Sequence, residues 1–156
     1  MPPTPRKNRK PQGPVARPAA ALIESEYRAL AEFRYAMRAF IAFSEAAAGA
    51  SGVTTQQYQA LLVIKAHPEQ AVLVRELAEQ MLLKHNNAVQ LADRLVDARL
   101  IRREGSKLDK RAVLLKLTAK GEAKIAYLAA IHFRELVRRR EQFVDISRMV
   151  TRLDYE

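Results

Sequence analysis

The chain has 156 residues, 49% of them apolar, and carries 27 Lys and Arg against 17 Asp and Glu for a formal net charge of +10, which suits a single domain with a real core and a polyanionic partner. Cysteine is absent and the three histidines, His67, His85 and His132, stand far apart; this excludes disulfides, thiolate metal sites and thiol-oxidation sensing, and argues against any metal site or cofactor. No run approaches the ~18 apolar residues of a membrane span and no apolar segment follows the basic start, so a cytoplasmic protein without membrane contact is expected.

Residues 1–19 hold six of the seven prolines and five basic residues with no acid. Such a stretch is expected to be a disordered basic tail, either a solubilising leader or an arm that adds phosphate contacts. Residues 20–156 are expected to form one domain. Helical periodicity begins near residue 21 and runs to about 48, with Tyr27, Leu30, Phe33, Met37, Phe40 and Ser44 on one face, and Gly49 and Gly52 end it. Thr54 and Gln57 form a capping box, Val53 can staple onto Tyr58, and the helix they start buries Leu61, Leu62 and Ile64 before stopping at His67 and Pro68.

A short β-prone run at 71–74 leads into a short helix over 75–81, then a break at 83–85. The longer helix that follows has Ala88, Leu91, Ala92 and Leu95 as its inward stripe. Two helices joined by a tight turn make a helix-turn-helix. Two strand-like runs follow at 100–104 and 111–117, joined by a loop over 105–110; a hairpin directly after the second helix is a wing. Residues 84–120 hold ten basic and four acidic residues, so the positive charge is concentrated on the tail and this winged segment. Thr118 is placed to cap a helix carrying Ile125, Leu128, Ile131 and Leu136 to about residue 140, and a last helix carries Phe143, Ile146, Met149, Val150 and Leu153. The fold class is therefore mainly α with a small β-hairpin wing: a winged helix-turn-helix lobe at 72–118 between N-terminal (21–50) and C-terminal (119–156) helices.

Several phrases in this order, Glu76-Leu77-Ala78-Glu79, Asp93-Arg94-Leu95, Leu100-Ile101-Arg102-Arg103, Asp109-Lys110-Arg111 and Leu117-Thr118-Ala119-Lys120-Gly121, resemble the multiple antibiotic resistance regulator (MarR) family. The resemblance implies a homodimeric, ligand-responsive DNA-binding transcription regulator, a repressor bound to a palindromic operator. It also implies that the two terminal helical regions pair the copies, and that a small aromatic or acidic effector binds between lobe and dimer helices. Arg99 stands where the family usually has Gly, and Lys84 where a capping Ser is frequent.

On this reading the second helix of the pair enters the major groove with its N-terminal residues nearest the bases. Those residues are His85, Asn86, Asn87 and Gln90, and Asn or Gln can pair a donor and an acceptor with adenine. Capping is the competing role for the tandem Asn pair. The resemblance points to Arg111 as a minor-groove residue oriented by Asp109, unless the two simply tie the hairpin, with Lys107 and Lys110 on phosphates. Arg102 and Arg103 alternate to opposite faces of the first wing strand, so at most one meets DNA. Arg138, Arg139 and Arg140 are expected to serve the helix dipole.

Phe33, Met37, Phe40, Phe143 and Met149 exceed what a small lobe can cover, which favours a two-fold interface. Tyr35, Arg38, Tyr58 and His132 lie on helices that would flank the family's effector pocket. No Gly-rich phosphate loop, nucleophile grouping or metal-ligand spacing is present, so an enzyme is not expected. The alternative is a winged helix that serves only as a protein interaction module.

Overall fold

The computed structural model describes residues 23–106 and 112–153. In chain order these form α1 (Glu24–Ala50), α2 (Thr55–Ala66), β1 (Ala71–Leu73), α3 (Val74–Gln80), α4 (His85–Asp97), β2 (Ile101–Gly105), β3 (Val113–Leu117), α5 (Ala119–Arg138) and α6 (Arg140–Leu153). The expected hairpin is present, running in antiparallel register from Ile101 opposite Leu117 to Gly105 opposite Val113, with the Ser106 N–H donating to Ala112 O at 2.9 Å beyond the last pair. Gly105 thus belongs to the strand rather than the loop. The β-prone run becomes β1, which pairs along the other edge of β3 with Val72 opposite Leu115, so the base of the wing is three-stranded in the order β1-β3-β2.

Helix starts follow the expected chemistry. Thr54 Oγ1 accepts from the Gln57 N–H at 3.1 Å while Gln57 Oε1 accepts from the Thr54 N–H at 2.9 Å, a complete capping box for α2. Thr118 Oγ1 caps α5 alone, accepting from the Gly121 N–H at 3.1 Å. The Glu76 carboxylate accepts from the Leu73 N–H at 2.7 Å and fixes the start of α3 directly after β1.

Three helices end in one shared motif. After α1, Val53 N–H donates to Ala48 O and Gly52 N–H to Gly49 O; after α3, Leu83 donates to Ala78 and Leu82 to Glu79; after α4, Leu100 donates to Leu95 and Arg99 to Val96. This is the Schellman pairing, which needs a left-handed residue at the first of the two donors in chain order. Gly52 (φ +74°), Leu82 (φ +53°) and Arg99 (φ +59°) hold those positions. Gly49 stays within α1; Gly52 is the residue that turns the chain out.

The core lies under the winged lobe. Leu61 and Ile64 of α2, Leu77 of α3, Leu91 and Leu95 of α4, Leu115 of β3, and Ile125 and Leu128 of α5 are all buried. Leu62, expected inside, is 40% exposed, because it points away from Leu61 and Ile64 into a cleft beside α3. The outer helices carry their apolar residues differently: Ala36, Ser44 and Ala48 are the buried positions of α1, whereas Tyr27 and Leu30 are exposed. Phe33 packs edge-on against Phe143 of α6 at 6.1 Å between centroids, so these two rings meet within the chain. Among the described residues no helix is long and apolar enough to cross a membrane, and no cluster of three or more metal-ligating side chains occurs.

Candidate nucleic-acid interface

Helix α4 is built to be read from one side. Ala88, Leu91, Ala92 and Leu95 are buried against the lobe. The opposite side begins with Lys84, His85, Asn86, Asn87 and Gln90, all exposed. Lys84 is the N-cap and its side chain makes no capping bond, which puts His85, Asn86 and Asn87 in the first turn beyond it. Neither Asn caps the helix. Among the described residues nothing hydrogen bonds to the side chains of His85, Asn86, Asn87 or Gln90, so their donors and acceptors are available to a partner. The first N–H groups of α4 also point outward without a side-chain partner, and the helix dipole makes that end favourable to anions.

The strand alternation is realised with a physical reason. Arg103 lies opposite the buried Leu115, so it shares the sheet face that packs on α4; there its Nη2 donates to Asp93 Oδ1 at 2.7 Å. Arg102 lies opposite Lys116 on the outer face, donates to Leu117 O at 2.8 Å, and shares Glu104 with Lys116, whose Nζ is 2.8 Å from Oε1. The Lys116 hydrogen bond and charge, with Arg102 beside them, hold the Glu104 carboxyl below the usual carboxylate range despite some loss of hydration. Both arginines are thus held by ion pairs within the lobe. Lys107, Asp109, Lys110 and Arg111 lie outside the described residues.

The far end of α4 is tied to the start of α5. Thr118 Oγ1 donates to Arg99 O at 2.7 Å, Thr118 N–H to Leu100 O at 3.1 Å, and Lys120 Nζ to Ala98 O at 2.9 Å. Gly121 sits against the same turn; a Cβ there would fall on the Leu100 carbonyl oxygen. The Gly in the expected Thr-Ala-Lys-Gly phrase is therefore required by close backbone approach.

Of the four residues expected around an effector, two are brought together. Tyr58 stacks on His132 at 4.2 Å, and Phe40 and Phe43 meet the imidazole edge-on. The ring is fixed between Leu128 O, 2.7 Å from Nδ1, and Ser44 Oγ, 2.9 Å from Nε2. Since a carbonyl can only accept, Nδ1 carries a proton, and in the neutral ring Nε2 accepts from Ser44. Burial raises the Tyr58 hydroxyl above its usual range. Tyr35 is 60% exposed and lines a separate recess with Ala31, Glu32 and Gln142; Arg38 is exposed and its side chain makes no hydrogen bond or ion pair among the described residues. Sequence periodicity placed Ser44 on the inner face but gave no sign that it would meet His132.

The arginine run at the end of α5 serves a carboxylate rather than the dipole alone. Glu135 is only 6% exposed; Arg138 grips it through Nε and Nη2, both at 2.9 Å, and Arg139 Nε approaches to 2.6 Å. Arg140 donates to Val137 O at 3.3 Å. The Arg138 hydrogen bond, supported by Arg139, outweighs burial and lowers the Glu135 carboxyl below its usual range.

Residues 51–112, from just after α1 through the helix-turn-helix and the first wing strand to the residue before β3, match the model of the MarR family. Over those residues the chain is similar to the MarR family. Solved structures extend the MarR likeness in fold to the outer helices. AbsC, a MarR family transcriptional regulator from Streptomyces coelicolor, superposes at a TM-score of 0.65 with 22% identity, covering 88% of this chain and 92% of that one. Sco3205, a MarR family transcriptional regulator from the same organism in complex with DNA, gives 0.64 at 18% identity over 85% and 89%. BpsR of Bordetella bronchiseptica, whose DNA binding is regulated by 6-hydroxynicotinic acid, gives 0.60 at 17% identity over 78% and 89%. Comparison with curated proteins gives no match.

Proposed function

We propose that this chain is a MarR-type transcription regulator, a homodimeric repressor that binds a palindromic operator through α4 and the wing and has no enzymatic activity. The observation that carries the reading is the row of exposed, unpartnered His85, Asn86, Asn87 and Gln90 on a helix whose other side is wholly buried. Residues 20–156 act as one domain, with the tail at 1–19 outside it. Asn86, Asn87 and Gln90 read base edges, His85 sits at the mouth of the groove, and Lys107, Lys110 and Arg111, the last oriented by Asp109, hold the flanking backbone and minor groove. The aromatic walls around Tyr58 and His132 support a small aromatic or acidic effector at the junction of α1, α2 and α5, with Tyr35 and Arg38 at its outer edge only if α1 shifts. BpsR, regulated by an aromatic acid, is a precedent for such control in this fold.

The test is binding to the DNA flanking the chain's own gene, measured by anisotropy and footprinting across a salt series. The expected result is two protected half-sites about one helical turn, or 34–36 Å, apart. The logarithm of affinity should fall steeply with that of salt. Absence of protection on any such fragment at low salt sinks the regulator reading and favours a protein interaction module.

A further inference from the structure

Between the C-terminal half of α2, with its His67 and Pro68 exit, and α3 lies a cleft of about 490 Å³. That is within the roughly 300–1,000 Å³ of small-molecule sites. Its floor is apolar, built from Leu62, Val63, Ala66 and Val72, and its α3 side presents Glu76 and Glu79. This cleft is why Leu62 is exposed although its neighbours Leu61 and Ile64 are not.

The charge pattern is the opposite of the rest of the lobe. Among the described residues no Lys or Arg lines the cleft, in a chain that has 27 of them. The Glu79 side chain makes no hydrogen bond or ion pair among the described residues. Glu76 commits Oε2 to the Leu73 N–H at 2.7 Å, which fixes its carboxylate at the rim and leaves the other oxygen uncommitted. An apolar floor beside two carboxylates repels phosphates and aromatic acids and suits a ligand with a flat hydrophobic body and a positive charge.

We infer that the cleft between α2 and α3 binds an amphipathic aromatic cation, its ring against Leu62 and Val72 and its charge against Glu76 and Glu79. The site shares no residue with the Tyr58 and His132 cluster. It does not depend on the regulator reading, because binding is measured on the protein alone.

Thioflavin T, a planar cationic dye, is titrated into the full chain without DNA and followed by fluorescence, with 1-anilinonaphthalene-8-sulfonate as the anionic counterpart. Thioflavin T should saturate at one per chain and the anion should not compete with it. Glu79→Gln removes one exposed charge and should weaken dye binding by about two- to fivefold. Ala66→Lys places a cation at the cleft from an exposed position at the end of α2 and should abolish binding. Both substitutions are at exposed positions, and far-UV circular dichroism checks that each variant is folded. Failure of thioflavin T to saturate, competition by the anion, or unchanged affinity in the folded Glu79→Gln protein overturns the site. Should Ala66→Lys not fold, Glu79→Gln alone decides.

Discussion

At Leu82 and Arg99 the backbone adopts the left-handed region that glycine occupies at the equivalent place after α1. A side chain there costs about 1–2 kcal/mol, while glycine adds back ~0.4–1 kcal/mol of unfolded-state entropy. Leu82 is 94% exposed and packs on nothing that would be lost. Leu82→Gly and Arg99→Gly should therefore each raise the stability by about 0.5–1 kcal/mol, read as a higher urea midpoint at unchanged slope and fixed protein concentration. Helix α4 separates the two sites, so the double variant should show the sum. On the regulator reading, Asn87→Ala should weaken specific binding by roughly 1–3 kcal/mol and relax preference at one base position, and Gln90→Ala likewise at another. Lys107→Ala should weaken all sequences alike and flatten the salt slope. Equal loss on operator and random DNA in the Asn87 and Gln90 variants removes them from base readout.

Several elements in this chain are tied at their ends as well as through the core, and prediction at this scale lies at those ties. Gly121→Ala drives a methyl onto the Leu100 backbone carbonyl at the joint between α4 and α5. The loss should reach at least the ~1–3 kcal/mol of core overpacking, measured by thermal or urea unfolding. The carboxyls of Glu104 and Glu135 are both held below their unfolded value by arginine or lysine partners. Their contribution is thus fully present above the unfolded carboxylate pKa and is lost as pH falls through the lower folded one. Stability should decline on acidification below about pH 4.5, and Glu135→Gln should flatten that decline; an unchanged acid profile in the variant contradicts the assignment. Caps and stripes such as Thr54 with Gln57, Thr118, and Ala88 to Leu95 were legible in the sequence because each depends on residues within one or two turns. The third strand, the Ser44 and His132 pair and the exposure of Leu62 were not, because each is decided by an element distant in the chain. The left-handed Leu82 left no local trace at all, since nothing about leucine announces it.

For the whole molecule, Tyr27 and Leu30 of α1, Phe133 and Val137 of α5 and Val144 of α6 remain exposed in the single chain. On the homodimer reading these form the pairing surface, and Leu30→Glu with Val137→Glu should give a monomer by sedimentation that no longer protects two half-sites. A folded dimer in that double variant moves the interface elsewhere. The architecture of lobe and outer helices was readable from periodicity and turn residues. The partition of aromatic residues was not: Phe33 and Phe143 satisfy each other within the chain, a pairing between α1 and α6 that no spacing rule foresees.

Helix α5 joins two firm fixings, the Glu135 clamp at its C-terminal elbow and the ties from Thr118 and Lys120 to the end of α4 at its start. Its 20 residues make it about 30 Å long. On the regulator reading it would act as a lever with its pivot at the elbow and α4 at the other end. A tilt of only about 6° at the pivot swings the free end by ~3 Å, close to the 3.4 Å rise of one base pair. On the same reading, angular error at the elbow would be read out on DNA as a slip of register, and rigidity there would set how finely two paired lobes measure the spacing of their half-sites.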